Sequence, residues 1–186
     1  MEKTALILVD IQNDYFPNGR MELHEPDKAA ANARKLLDFY RSKNMPTFHI
    51  QHIFNDPNAP FFAPGTEGII INETVAPLEG ETVIQKNYPN SFRETTLLNQ
   101  LQEVGTEHVV VCGMMSHMCI DATARAAVDN GFQCTVIEDA CTSPDLSFRG
   151  RNIPATDVHD AFMAALGSLY ATIETADSFL ENATVK

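Results

Sequence analysis

No stretch of this 186-residue chain approaches the roughly 20 consecutive apolar residues that a membrane-spanning helix needs. A signal-peptide cleavage pattern is lacking too: Met1-Glu2-Lys3-Thr4 runs directly into a short apolar stretch, so a cytoplasmic location is the expectation. Positive charge is scarce, with 13 Lys and Arg against 25 Asp and Glu, a formal net charge of -12. Phosphate backbones and anionic bilayers repel such a body, which argues against a nucleic-acid or membrane partner. Cysteines are few, and Cys112, Cys119, Cys134 and Cys141 in a chain without a leader read as free thiols. No composition shift marks a linker or disordered tail. Residues 1–186 therefore read as one domain, long enough to bury about 70% of its unfolded surface.

What is present is a repeated alternation of buried strand and amphipathic helix. Thr4–Val9 is a continuous apolar run suited to a strand covered on both faces. Ala30, Ala33, Leu36, Leu37 and Tyr40 fall at helical spacing within Asp27–Lys43, and Thr47–Ile50 follows as a strand. The cycle returns with a strand at Thr82–Gln85, a helix over Thr96–Val104 and a strand at His108–Cys112. A helix over His117–Asn130 then leads to a strand at Cys134–Ile137. A helix capped by Thr156 or Asp157 and running to about Tyr170 precedes a last strand at Ala171–Glu174. The order predicts an α/β fold, a three-layer α/β/α arrangement around an open, mostly parallel six-stranded sheet. Between Phe54 and Pro77, Pro57, Pro60, Pro64, Pro77, Gly65 and Gly68 break any regular element, and a loop of that length is expected to arch over a functional site.

Ligands in such sheets bind beyond the carboxyl ends of the strands, and three reactive side chains sit there: Asp10, Lys86 and Cys119. A cysteine in the first turn of a helix, beside a lysine, has two features that lower a thiol pKa. A carboxylate nearby can take the thiol proton and return it to a departing amine. Each residue alone has an ordinary reading: a capping aspartate, a surface lysine, a small core cysteine. Their common placement is what points to chemistry.

Three strings carry a resemblance: Leu8-Val9-Asp10-Ile11-Gln12-Asn13-Asp14-Tyr15-Phe16, Gln85-Lys86-Asn87-Tyr88-Pro89-Asn90-Ser91-Phe92, and Gly113-Met114-Met115-Ser116-His117-Met118-Cys119. In this order they resemble the isochorismatase-like cysteine hydrolases, nearly end to end. The resemblance implies that Asp10, Lys86 and Cys119 form a catalytic triad, and that a nonprolyl cis peptide joins Met114 and Met115. It further implies an oxyanion hole made by the N–H groups of Met115 and Cys119. The implied reaction is amide hydrolysis through a thioester, without cofactor, in a homo-oligomer, a dimer or a tetramer. The string from Gly113 to Arg125, followed by Ile137-Glu138-Asp139-Ala140-Cys141, is most similar to the branch that contains streptothricin hydrolase, which opens a cyclic amide.

Nicotinamidases of this family hold a metal through an aspartate and histidines between the second and third strands. Here that region offers His49 and His52 without an Asp-x-His pattern, so no metal is expected. His49 reads as a strand histidine packed or hydrogen-bonded in the core, while His52 lies nearer the strand end. Phe16, Tyr88 and His117, beside the triad, and Phe61 and Phe62, on the long loop, are candidates to face a small-molecule amide substrate or to be plain core. Asp121 and Arg125, four apart on a helix, are expected to pair with each other. Two other functions remain open: vinyl-ether hydrolysis of the isochorismatase type, with Cys119 a bystander, and a noncatalytic binding protein on the same fold.

Overall fold

The computed structural model describes residues 3–184; the first two and last two residues of the expected domain lie outside the described residues. Its central sheet has six strands: β1 (Thr4–Val9), β2 (Thr47–His52), β3 (Thr82–Lys86), β4 (His108–Met114), β5 (Gln133–Thr142) and β8 (Thr172–Glu174). They lie in the order β3-β2-β1-β4-β5-β8, and every neighbouring pair is parallel. The chain therefore winds outward from β1 through β2 to β3, then returns to the other side of β1 to lay down β4. That reversal opens a crevice at the carboxyl ends of β1 and β4, where a doubly wound sheet receives its ligand.

Period-two alternation in β1 sends its residues to two cores. Leu6 and Leu8 pack with α1 (Pro26–Ser42) and α5 (Ala176–Thr184). Ala5, Ile7 and Val9 pack with α2 (Leu97–Glu103), α3 (Asp121–Asp129) and α4 (Ala155–Leu169). Helices thus cover both faces, which is why the strands read as unbroken apolar runs. Gly113 marks the closest approach between β1 and β4. Its φ is +124°, and a Cβ there would overlap the Val9 carbonyl, so only glycine fits.

Several elements depart from the sequence reading. β5 runs on past Ile137 to Thr142, through a shift of register that sets Gly113 opposite Cys141. Glu138 and Asp139 interrupt the apolar run there, and Asp139 turns this to use: its Oδ1 accepts the Ala176 N–H at 2.7 Å and caps α5. A small hairpin, β6 (Leu146–Phe148) with β7 (Arg151–Ile153), and α5 itself were not expected. Neither Thr156 nor Asp157 caps α4; the Ala155 N–H goes to Asp145 Oδ1 at 2.8 Å. Before α3, Ser116–Ile120 forms a π-type turn, wider than the α-helical turn expected from His117 onward.

Candidate active site

Asp10 follows β1 directly, with φ +52°, in the left-handed region that aspartate tolerates better than most residues. This conformation turns its side chain into the interior, where it is fully buried. Lys86 ends β3 and is 1% exposed; its Nζ lies 2.8 Å from Asp10 Oδ2 and donates to the carbonyls of Tyr88 and Pro89 at 3.1 and 3.0 Å. Cys119, 3% exposed, lies in the π-type turn beyond β4. The turn thus carries the third of the candidate residues to the same place as the other two.

A fourth side chain stands among them. His52, the last residue of β2, puts Nδ1 3.8 Å from Asp10 Oδ2, 3.4 Å from Lys86 Nζ and 4.0 Å from Cys119 Sγ. Gln12 fixes its backbone: the His52 N–H donates to Gln12 Oε1 at 2.7 Å and Gln12 Nε2 donates to the His52 carbonyl at 2.9 Å. The His52 ring packs on Phe54, with centroids 4.5 Å apart, and against Phe62 at 5.9 Å.

Charge and burial set the protonation states. Burial alone would neutralise Asp10, yet the Lys86 ammonium and His52 outweigh it and hold the carboxyl below its ordinary value. Burial likewise works against the Lys86 charge, and Asp10 with Cys119 more than restores it, so the lysine stays an ammonium. Cys119 goes the other way. Burial and the Asp10 carboxylate push its thiol well up, against the pull of Lys86. The expected lowering is therefore corrected: Asp10 and Lys86 neutralise each other, which leaves desolvation to decide, and the resting group is the thiol. Tyr15 has its ring 4.6 Å from that of Phe62; burial first, then the negative charge a Cys119 thiolate would carry and the Asp10 carboxylate, raise its pKa and keep the phenol protonated.

The Met114–Met115 peptide is cis. The Met115 carbonyl accepts from the N–H groups of Met118 and Ile120, not from Cys119 between them. Both N–H donors named in the sequence, those of Met115 and Cys119, thus belong to one turn beside the thiol.

The aromatic candidates divide. Phe62, fully buried, and half-buried Phe61 form a ring cluster with Tyr15 and Phe54 next to His52. Tyr88 is half-buried beneath the Arg93 guanidinium, 3.6 Å away, and meets the site through its carbonyl. His117 is turned to Ser143 Oγ, 2.9 Å from Nδ1, and burial lowers its pKa. Phe16 lies in the core on the α1 face. Asp121 and Arg125 pair at 2.9 Å, the guanidinium 4.5 Å over the Tyr170 ring. His49 is in a separate cluster at the other end of the sheet, its Nε2 3.0 Å from Glu81 Oε2.

Asp10, His52 and Cys119 each present a metal-ligating atom within 4.8 Å of one another. Lys86 already puts its ammonium against two of the three, so the positive charge at this point is the chain's own. The set is better suited to moving a proton between sulfur, nitrogen and oxygen. Gln12, Tyr15 and Phe54 were not singled out in the sequence. Gln12 and Tyr15 do fall in the string after Asp10, which was the available signal.

Residues 4–178 match the family model described as an isochorismatase domain. The chain is 56% identical over 178 residues to the uncharacterized isochorismatase family protein YddQ of Bacillus subtilis, covering 96% of this chain and 99% of that one. It is 30% identical over 164 residues to a streptothricin hydrolase of Streptomyces noursei, covering 88% and 62%. Among solved structures, an isochorismatase from Pseudomonas putida superposes with a TM-score of 0.89 at 36% identity, covering 95% and 90%.

Proposed function

The chain belongs to the isochorismatase family of hydrolases, and from that premise we propose that it is a cysteine amidohydrolase acting on a small amide or cyclic amide. The observation that carries this reading is the convergence of Cys119, Asp10 and Lys86 in one buried cluster beside the Met114–Met115 turn. A vinyl-ether hydrolase needs acid and base groups but no thiol. Here the thiol lies 4.0 Å from His52 Nδ1, in the same buried cluster as the Asp10–Lys86 pair, where a nucleophile would be activated.

In the proposed cycle the Cys119 thiol loses its proton to the cluster and its sulfur attacks the amide carbon. The oxyanion so formed is met by the N–H groups of Met115 and Cys119, donors fixed before the charge develops. Collapse breaks the C–N bond, the departing nitrogen takes back the proton, and water then cleaves the thioester to free acid and thiol. Asp10 and Lys86 keep the cluster's charge balanced throughout. Phe61, Phe62 and Tyr15 supply apolar walls that limit water. The reading includes a homo-oligomer, which light scattering of the purified protein tests.

Hydrolysis of nicotinamide, maleamate and a ureido acid, followed as release of ammonia or amine, and of a lactam, followed as ring opening to the amino acid, compared with Cys119→Ala, is the decisive experiment. Turnover of at least one of these is expected to fall by about 1,000-fold or more in the variant, with a thioester trapped in the parent. Retained turnover overturns the amidase and leaves proton chemistry at Asp10 and Lys86.

A further inference from the structure

We propose that His159 is a positioning residue of this site: through Ser116 it braces, from outside the catalytic cluster, the turn that presents Cys119 and the Met115 N–H. The proposal rests on the amidase reading only for what that turn presents.

The turn over Ser116–Ile120 is π-type, and no side chain caps its start at Met115. Such turns are rare and occur mostly as single insertions in helices, frequently at functional sites. Along its axis this one is closed by the Met118 and Ile120 N–H groups, which both donate to the Met115 carbonyl, at 3.0 and 3.2 Å. Its first two residues are held sideways. Ser116, which has no exposed surface, places Oγ 2.8 Å from His159 Nδ1 on α4, and His117 meets Ser143.

One face of α4 serves this purpose. His159, Phe162 and Met163 stand at i, i+3 and i+4 and so lie side by side. The Phe162 ring is 6.0 Å from that of His117, and Met163 packs in the same core as Cys119 and Ile120. His159 is the polar member of the face. Its Nε2 lies 3.5 Å from Glu138 Oε2 on β5. A carboxylate only accepts, so the ring hydrogen belongs on Nε2, and Nδ1 is left to accept the Ser116 hydroxyl. Glu138, which interrupts the apolar run of β5, thus orients the ring that holds Ser116, and Ser116 stands three residues before Cys119. Removing His159 leaves a buried hydroxyl unpaired in the turn, and a small displacement of a nucleophile or an oxyanion donor costs turnover steeply.

Native-state hydrogen exchange at the Met118 and Ile120 amides reads the turn directly and needs no substrate. In His159→Leu and in Ser116→Ala their protection is expected to fall by about 10-fold or more relative to that of the β1 and β4 amides. His159→Asn, whose amide puts an acceptor where Nδ1 stood, should restore it, and the double variant Ser116→Ala, His159→Leu should be no less protected than the worse single variant. Protection at the turn that is unchanged, or that falls only in step with β1 and β4, overturns the proposal, as does a His159→Asn protein that behaves like His159→Leu. Should His159→Leu not fold, Ser116→Ala decides by the same comparison. On an amide that the parent hydrolyses, His159→Leu should lower kcat by about 10-fold or more with KM within about twofold, and a kcat at the parent value overturns the role. Retained turnover in Cys119→Ala would remove the amidase, while exchange at Met118 and Ile120 would still report on the brace.

Discussion

Lys86 is among the largest fully buried side chains of the molecule, and its partner Asp10 has no exposed surface. Such a pair tolerates the loss of one member badly, because the other is left as an uncompensated charge in a dry interior. Lys86→Met should therefore cost about 3 to 5 kcal/mol in urea unfolding. In the double variant Asp10→Asn, Lys86→Met no net charge is left behind, and much of that stability should return while activity does not. A double variant as unstable as Lys86→Met would show that the cost lies in packing rather than charge. The experiment separates what the pair does for the fold from what it does for chemistry.

At the scale of elements, the segment between β2 and β3 is held by a few side chains from the turn after β1. Asp14 Oδ2 accepts the Phe62 N–H at 2.6 Å, and Phe62 sits there at φ +51°, a conformation its side chain disfavours. Gly68 presses so closely on the Asp14 carboxylate that any Cβ would overlap it. Gln12 adds bonds to the Ile69 carbonyl and a bridge to Ile71. Asp14→Ala should leave a buried N–H unpaired, cost about 1 to 3 kcal/mol, and expose Phe61 and Phe62 to chymotrypsin while cleavage elsewhere is unchanged. The breakers in this segment were legible in the sequence, but its anchoring was not, since Asp14 and Phe62 meet only in three dimensions. The same holds for α5, whose cap Asp139 lies 37 residues earlier. Strands covered on both faces, such as β1 and β4, were legible because their burial writes itself as unbroken apolar runs. The strands and connections in turn placed Asp10, Lys86 and Cys119 at one end of the sheet. The thiol's raised pKa could not be read that way, because it follows from the burial of Cys119, with Asp10 and Lys86 pulling in opposite directions.

For the molecule as a whole, acid should act at both ends of the sheet at once. At the amino end Arg41 grips Glu81 through two bonds of 2.7 and 2.8 Å, and this guanidinium, opposed by burial, holds the Glu81 pKa down at about 2. At the carboxyl end Asp10 is also lowered. A carboxyl whose folded pKa is depressed stabilises fully above its unfolded value and loses that contribution as pH falls toward the folded one. For Glu81 the window runs from its ordinary 4.5 down to about 2, and for Asp10 it begins near 3.8. His49, lowered by its burial, works in the same direction from 6.5 downward. Lys86, raised, should bring a loss only at the alkaline end, above its ordinary 10.5. Urea unfolding of Glu81→Gln, measured from pH 7 to pH 2, should therefore start below the parent and fall less steeply between 4.5 and 2, so that the two curves converge in acid. Curves that stay parallel would mean that Glu81 is no better held in the folded chain than in the unfolded one. Of the slope that remains in the variant, Asp10 supplies a part, and Asp10→Asn should remove that part only below about 4, which separates the acid sensitivity of the site from that of the fold.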